Sequence, residues 1–399
     1  MNILFLTLGR IEQRGIYSCL IDKMKDMGDN VFVVSPIERK YKKETSISEK
    51  NNIKILKVKS GNIQKVNKIE KGISTIRLQY QIIKAIRKYF KDIKFDLVIY
   101  STPPITFSKV IKFIKKRDDA KSYLMLKDIF PQNAVDLDMI KREGLIHKYF
   151  RLKEIDLYKN SDFIGCMSKA NVNYLIEHNN FIEEQKVEVL PNTITPENIE
   201  YIGIGCVRKI RKKYNIPVNK KVFIYGGNLG KPQGIDFILE CINENEKRNN
   251  TFLLVIGSGT EYEKVSSYII EKSIKNTRIY SYMPKDEYDN IVKACDAGLV
   301  FLDKRFTIPN IPSRILTYME YSMPIIAATD KNTDLESILV GGNFGLWSES
   351  GKVGDFFKNL DMICNDSKLS EQMGTNGRRY LEQNYTSDIA YEIIMKHFK

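Results

Sequence analysis

The sequence predicts an α/β protein built from two doubly wound parallel-sheet domains. Three observations carry that prediction. Short apolar, β-branched runs alternate with helical-period segments through both halves of the chain, the pattern of βαβ units. At 399 residues the chain exceeds one typical domain. A glycine-rich turn then follows an apolar strand just past the midpoint, in Lys220–Ile242, where a second α/β domain would open.

The first domain begins with a strand over 2–7, a loop through Gly9 and Gly15, a helix over 16–27 stopped by Gly28, and a strand over 31–36. A strand over 53–58 precedes a long helical pattern over 64–90. There Val66, Ile69, Ile73, Ile76, Ile83 and Ile86 are expected to pack inward, with Lys65, Lys68, Lys84, Arg87 and Lys88 opposite. A strand over 95–100 ends in Ser101-Thr102-Pro103-Pro104, a helix covers 106–117, and a strand over 123–126 delivers Lys127-Asp128 at its carboxyl end. In open α/β sheets ligands sit at that end, so Asp128 is a candidate for acceptor chemistry as well as for capping the next helix. A helix over 145–158 and strands at 162–167 and 187–190 complete the domain, with 196–205 as the crossing. The second domain reads as strands at 222–225, 252–256, 277–280, 297–302 and 324–328 with helices between them, and two terminal helices over 369–380 and 387–398. The boundaries are 1–200, 201–385 and a terminal helix over 386–399 that returns to the first domain.

Composition narrows the function. Six cysteines without a C-x-x-C pair and only three histidines disfavour a metal centre or a disulfide framework. The net charge of +14 is concentrated: residues 54–121 hold 18 basic and 5 acidic residues, a surplus of 13. Such a segment suits an anionic membrane surface or a phosphorylated substrate. No RNA-binding aromatic motif or zinc finger accompanies it, so a nucleic-acid partner is not expected. No apolar run spans a bilayer and the first residues lack a basic leader, which predicts a cytoplasmic protein, peripheral at the membrane if attached.

The glycine turn holds Gly226, Gly227, Gly230 and Gly234. Bare N–H groups beside a helix start invite an anion, most simply a diphosphate, although glycines needed only for shape would look the same. There is no Gly-Lys-Ser/Thr ending and no G-x-G-x-x-G series. The second informative stretch is DKRFTIPNIPSRILTYME, in which Arg314 falls in the first turn of a helix. A cation there opposes the helix dipole and calls for an anionic partner.

These stretches, with RGIYSCLIDKMKDMGDNVFVVSP, KDIFPQNAVDL, VEVLPN, the Gly257 loop and MGTNGRRYLEQNYT, give the chain its resemblance. Over nearly its whole length it resembles the family 4 retaining glycosyltransferases of the GT-B fold, which build bacterial capsule, O-antigen and exopolysaccharide. The branch with N-acetylfucosamine transferases looks most alike. The resemblance implies two facing Rossmann-like domains with an interdomain cleft, a nucleotide-diphosphate sugar donor on the second and a lipid-linked glycan acceptor on the first, with no cofactor or metal. It also implies roles: Gly227, Asn228, Lys231, Ser313 and Arg314 at the diphosphate, Gly257, Tyr282 and Met283 around the nucleoside. Thr317 and Glu320 follow on the donor side, Lys127 and Asp128 act at the chemistry, and Arg10, Arg14, Gly15 and Ser101 line the acceptor side of the cleft.

The chain departs from the family pattern in three places. Pro309 and Thr317 stand where many members carry two glutamates, Asn228 and Gln233 stand where an arginine and a lysine are usual, and Lys127 replaces a histidine. Lys231 and Arg314 would then supply the positive charge, and Glu320 a ribose contact. A nucleotide-sugar 2-epimerase, with similar paired domains, and a non-catalytic assembly subunit are the alternatives.

Overall fold

The computed structural model describes residues 1–9, 11–63, 68–200 and 202–398. Arg10, Lys65 and Val66 lie outside the described residues, as do the side chains of Lys68 and Ile69. The chain forms two compact units, one of residues 1–195 with the segment from Ser387 onward, the other Pro196–Thr386.

The first unit contains β1 (Asn2–Leu6), β2 (Asn30–Glu38), β3 (Ser46–Lys50), β4 (Ile53–Ser60), β5 (Leu97–Ser101), β6 (Lys121–Leu126), β7 (Phe163–Cys166) and β8 (Val187–Val189). They form one sheet in the order β3-β4-β2-β1-β5-β6-β7-β8, parallel except for the antiparallel β3–β4 pair. Strands covered on both faces need apolar residues at successive positions, and Ile3, Leu4, Phe5 and Leu6 are all fully buried. One face packs Ile3, Phe5, Val31 and Ile99 against Leu20 and Met24 of the helix Ile16–Asp26. The last helix, Ser387–Met395, adds Ala390, Tyr391, Ile394 and Met395 to that core. Tyr391 Oη donates to Asp29 Oδ2 at 3.0 Å, His397 stacks on Phe163 at 3.8 Å, and its Nε2 meets Glu188 Oε1 at 2.9 Å. Thr195 and Ser387, where the chain leaves and re-enters this unit, hydrogen-bond through their hydroxyls at 2.7 Å.

The helix Lys68–Tyr89 corrects one expectation. Its buried positions are Leu78, Ile82, Ala85 and Ile86, together with Ser74 and Gln79, while Ile73 and Ile76 are 53% and 39% exposed. Both stripes of this helix carry apolar residues at helical spacing, and the sheet covers the later one.

The second unit contains β9 (Lys221–Asn228), β10 (Thr251–Ser258), β11 (Thr277–Tyr280), β12 (Ala297–Phe301), β13 (Ile325–Thr329) and β14 (Gly345–Glu349). All pairs are parallel, in the order β11-β10-β9-β12-β13-β14. Its core joins Phe223, Leu253, Val255 and Ile326 to Ile235, Ile238 and Ile242 of the helix Ile235–Glu246 and to Phe356, Leu360 and Ile363 of the helix Val353–Asn365. The two expected doubly wound sheets are therefore present. No helix among the described residues is long and apolar enough to cross a membrane.

Candidate functional site

In the second sheet the chain goes from β9 outward to β10 and β11, then returns to β12 on the other flank of β9. Connections diverge at the carboxyl ends of β9 and β12, and such a switch point leaves a crevice for a ligand. Strand β9 delivers Gly226-Gly227-Asn228 there, in register with Ile256-Gly257-Ser258 of β10. Gly227 has φ of 141°, a backbone region closed to most side chains, and a Cβ on it would stand 3.2 Å from the Arg314 guanidinium. A Cβ on Gly257 would fall 1.8 Å from the Gly227 carbonyl oxygen, so only glycine lets the two strand ends lie this close.

Arg314 reaches the turn from the start of the helix Arg314–Glu320 and sits among three tyrosines. Its Cζ lies 4.3 Å from the Tyr225 ring centroid. Tyr225 Oη donates to Asn228 O at 2.6 Å, which ties the aromatic platform to the glycine turn. Tyr318 Oη accepts from Gly226 N at 3.2 Å, and its proton faces Ile224 O at 3.1 Å and Leu299 O at 3.3 Å. Tyr288 Oη fills the space a Cβ on Gly226 would need.

The electrostatics of this group are lopsided. Burial pushes the Tyr318 phenol up to about 12, with Arg314 acting in the opposite sense, and burial raises Tyr225 and Tyr288 as well. All three stay neutral phenols near pH 7, so the guanidinium charge is not cancelled by them. Arg314 Nη1 is buried with no hydrogen-bond partner. A buried donor left unmade costs about 1–3 kcal/mol, more on a charged group, and an anion over Gly227 would recover it.

The turn is braced from below. Gln233 Oε1 accepts from Asn228 Nδ2 at 3.2 Å and from Gly230 N at 3.0 Å, while Asp303 N donates to Pro232 O at 2.9 Å. Asn228 and Gln233 thus hold the loop to itself. A 3₁₀ turn, Lys231–Gln233, stands between the glycines and the helix Ile235–Glu246, so the loop does not run directly into the helix as the sequence suggests. Lys231 and Ser313 are exposed. Thr317 lies one turn beyond Arg314, and Tyr282, 60% exposed, and Met283 follow β11. Glu320 is 3% exposed and its carboxylate accepts from Glu197 N at 2.9 Å, so it is engaged within the packing around residue 197.

In the first unit Lys127 and Asp128 extend β6 at its carboxyl end. Thr102 Oγ1 accepts from both of their backbone amides, at 3.0 and 3.1 Å, and Asn133 Nδ2 meets the two Asp128 carboxyl oxygens at 2.8 and 2.7 Å. Lys127 Nζ donates to Leu190 O and Pro191 O, each at 3.3 Å. Burial lowers the Lys127 ammonium to about 7 and raises the Asp128 carboxyl to about 6, the latter against Asn133 and the Ile129 amide, which favour the charged form. Two adjacent groups that titrate near neutrality fit proton-transfer duty. Gly15 precedes the first helix with open space where a Cβ would be, and Arg14 donates to Thr195 O. Ser101 is 1% exposed and hydrogen-bonds the Tyr17 side chain, so it is engaged within the packing at the end of β5. Arg10 is outside the described residues.

The Asp128 value has a sign that stability measurements can check. Its folded pKa of about 6 exceeds the ordinary 3.8, so the native state keeps a proton that the unfolded chain has already released. The associated stability is full below pH 3.8 and is lost as pH rises through 6. At about 1.36 kcal/mol per unit, wild type is expected to lose up to about 3 kcal/mol relative to Asp128→Asn between about pH 4 and pH 7. Urea unfolding at the two pH values reads this difference; equal pH dependence of the two proteins contradicts the assignment.

Residues 207–380 match the family described as "Glycosyl transferases group 1". The chain is 26% identical over 309 residues to "Probable glycosyltransferase WbjE" of Pseudomonas aeruginosa, covering 74% of this chain and 72% of that protein. It is 25% identical over 258 residues to "Capsular polysaccharide biosynthesis glycosyltransferase CapM" of Staphylococcus aureus, covering 61% and 64%. Among solved structures, Anabaena Alr3699/HepE in complex with UDP and glucose superposes with a TM-score of 0.72 at 14% identity, over 100% of this chain and 99% of that one. The fold is GT-B.

Proposed function

We propose that this chain, a glycosyltransferase of the GT-B fold, moves a sugar from a nucleotide-diphosphate donor to a glycan acceptor in the assembly of a bacterial surface polysaccharide. The unpartnered Nη1 of Arg314, held over Gly227 by neutral tyrosines, is the observation that carries the reading. The UDP complex of HepE supports the donor class, the name of WbjE supports glycosyl transfer, and that of CapM supports the polysaccharide context.

In this reading the second unit takes the donor. Negative charge grows on the departing diphosphate as the glycosidic bond breaks, and fixed donors aimed at that charge lower the barrier. Arg314 and the amides of Gly227 and Asn228 supply them, with Lys231 as an exposed addition. Gly257 and the Tyr282-Met283 segment border the nucleoside. The first unit takes the acceptor, a glycan on a polyprenyl diphosphate, with Asp128 orienting and deprotonating the attacking hydroxyl. Lys127, lowered by burial to about 7, would share in the proton transfer. By the resemblance above, the anomeric configuration is retained and the sugar is a hexose or N-acetylhexosamine.

Thermal-shift measurement against a panel of nucleotide-sugars tests the donor assignment. A cognate donor at a hundred times its dissociation constant is expected to add about 2.7 kcal/mol. No stabilisation by any nucleotide or nucleotide-sugar would refute the reading. Among the described residues no group of three or more His, Cys, Asp or Glu is arranged to hold a metal ion, and turnover in excess chelator is expected to be unchanged. Loss of turnover restored by a divalent cation would show that metal shares the diphosphate with Arg314.

A further inference from the structure

The first unit exposes a group of large apolar side chains that its fold does not use. The helix Leu145–Asn160 buries Glu154, Leu157 and Tyr158, yet its opening turns present Leu145 at 88%, Ile146 at 62% and Leu152 at 66% exposure. The helix Lys68–Tyr89 presents Ile73, Ile76 and Tyr80 to solvent. Both helices pack against the segment 105–118, and the space between them is bridged by lysines. Lys109 donates to Tyr80 Oη and lies 4.7 Å from that ring, while Lys153 lies 5.4 Å from the Tyr149 ring. The charges of both Lys109 and Lys153 act on the Tyr80 phenol, so the two helices share one electrostatic neighbourhood. Exposed Arg77, Lys84 and Lys148 extend the same basic character.

Single exposed aliphatic residues are ordinary, but two adjoining helices presenting them among cations are not. Apolar side chains that enter the acyl boundary, tyrosines at headgroup depth and lysines or arginines around them are the make-up of an interfacial anchor. We propose that the Leu145–Leu152 turns and the Ile73–Tyr80 face form a peripheral docking surface for an anionic lipid bilayer, with Leu145, Ile146 and Leu152 inserted and the surrounding cations on the headgroups. The proposal deepens the lipid-linked acceptor reading above by naming the surface that brings this unit to the membrane. Charge complementarity selects this occupant. A second copy of the same face would set cation against cation, and the aliphatic residues that protrude furthest offer nothing for a nucleic-acid base to stack on.

Vesicle flotation tests the proposal on the full chain, using phosphatidylcholine vesicles with and without phosphatidylglycerol. Wild type is expected to float with the anionic vesicles and to keep part of that binding in high salt, because insertion survives the screening that removes charge attraction. The triple variant Leu145→Ser/Ile146→Ser/Leu152→Ser, altered only at exposed positions, is expected to lose at least about tenfold in partitioning while keeping its melting temperature. Stabilisation by nucleotide-sugars, read on the same samples, is expected to be the same in both proteins, so failure of the donor assignment and failure of the docking surface are seen separately. Equal flotation of variant and wild type, absence of wild-type flotation, complete loss of binding in salt, or a wild-type dimer that the variant abolishes would each overturn the proposal.

Discussion

Arg314→Ala is expected to lower kcat/KM for the cognate donor by about 10²–10³, the size seen when one preorganised donor to a developing negative charge is removed. The guanidinium stands on the Tyr225 ring, its Nη1 has no partner in the protein, and Gly227 leaves open the space beneath it. The loss of folding stability should not exceed what the contact with Tyr225 contributes, about 0.5–2 kcal/mol, since Nη1 itself has no partner in the protein. Lys304, exposed just beyond the end of β12 and outside the tyrosine cage, is the control. Its replacement by Ala is expected to change kcat/KM by less than about threefold, an exposed charge contributing ~0–1 kcal/mol. Arg314→Lys should recover only part of the activity, because an ammonium neither stacks on Tyr225 nor presents a planar fork. Steady-state kinetics with melting curves decide the matter, and equal losses for the alanine variants at 314 and 304 would remove Arg314 from the site.

Gly257→Ala is the second large effect. Its methyl would overlap the Gly227 carbonyl oxygen, backbone against backbone, with no side chain able to swing aside. Strand β10 must separate from β9 at the glycine turn. A stability loss of roughly 1–3 kcal/mol is expected, as for other overpacked positions, together with loss of donor-induced stabilisation. Gly354→Ala is the matched control: no heavy atom lies within 4 Å of a Cβ there, and the residue is inside the helix Val353–Asn365. That change should leave binding intact and stabilise by roughly 0.5–1 kcal/mol. Denaturant unfolding and nucleotide thermal shift on both variants provide the comparison, and normal donor binding by Gly257→Ala would show that the close approach is dispensable.

The sequence made the sheets legible because strands covered on both faces need apolar residues at successive positions, as in the central runs of β1, β5, β9 and β12. Strand β3 escaped notice for the converse reason: its five residues are all exposed and its pairing is to one edge only. The helix Val353–Asn365 is absent from the sequence reading, although Phe356, Phe357, Leu360 and Ile363 keep helical spacing and are buried. On the helix Lys68–Tyr89 the period was readable and the choice of face was not, because periodicity reports a stripe without saying what will cover it. The site shows the same division. The glycine turn and Arg314 could be found from local signals, but Tyr225, Tyr288 and Tyr318 are scattered over 94 residues and become one cage only through the crossover from β11 to β12. That Asn228 and Gln233 stand in the glycine loop was readable; that they hold it to itself by hydrogen bonds required coordinates.

The hydroxyl contact between Thr195 and Ser387 has a bearing on how the polypeptide comes into being. The second unit is an insertion within the first, and the sheet that starts at Asn2 lacks its covering helix until Ser387–Met395 has left the ribosome. Residues 196–386 can mature as a body on their own during translation, whereas their older neighbour, begun first, is finished last.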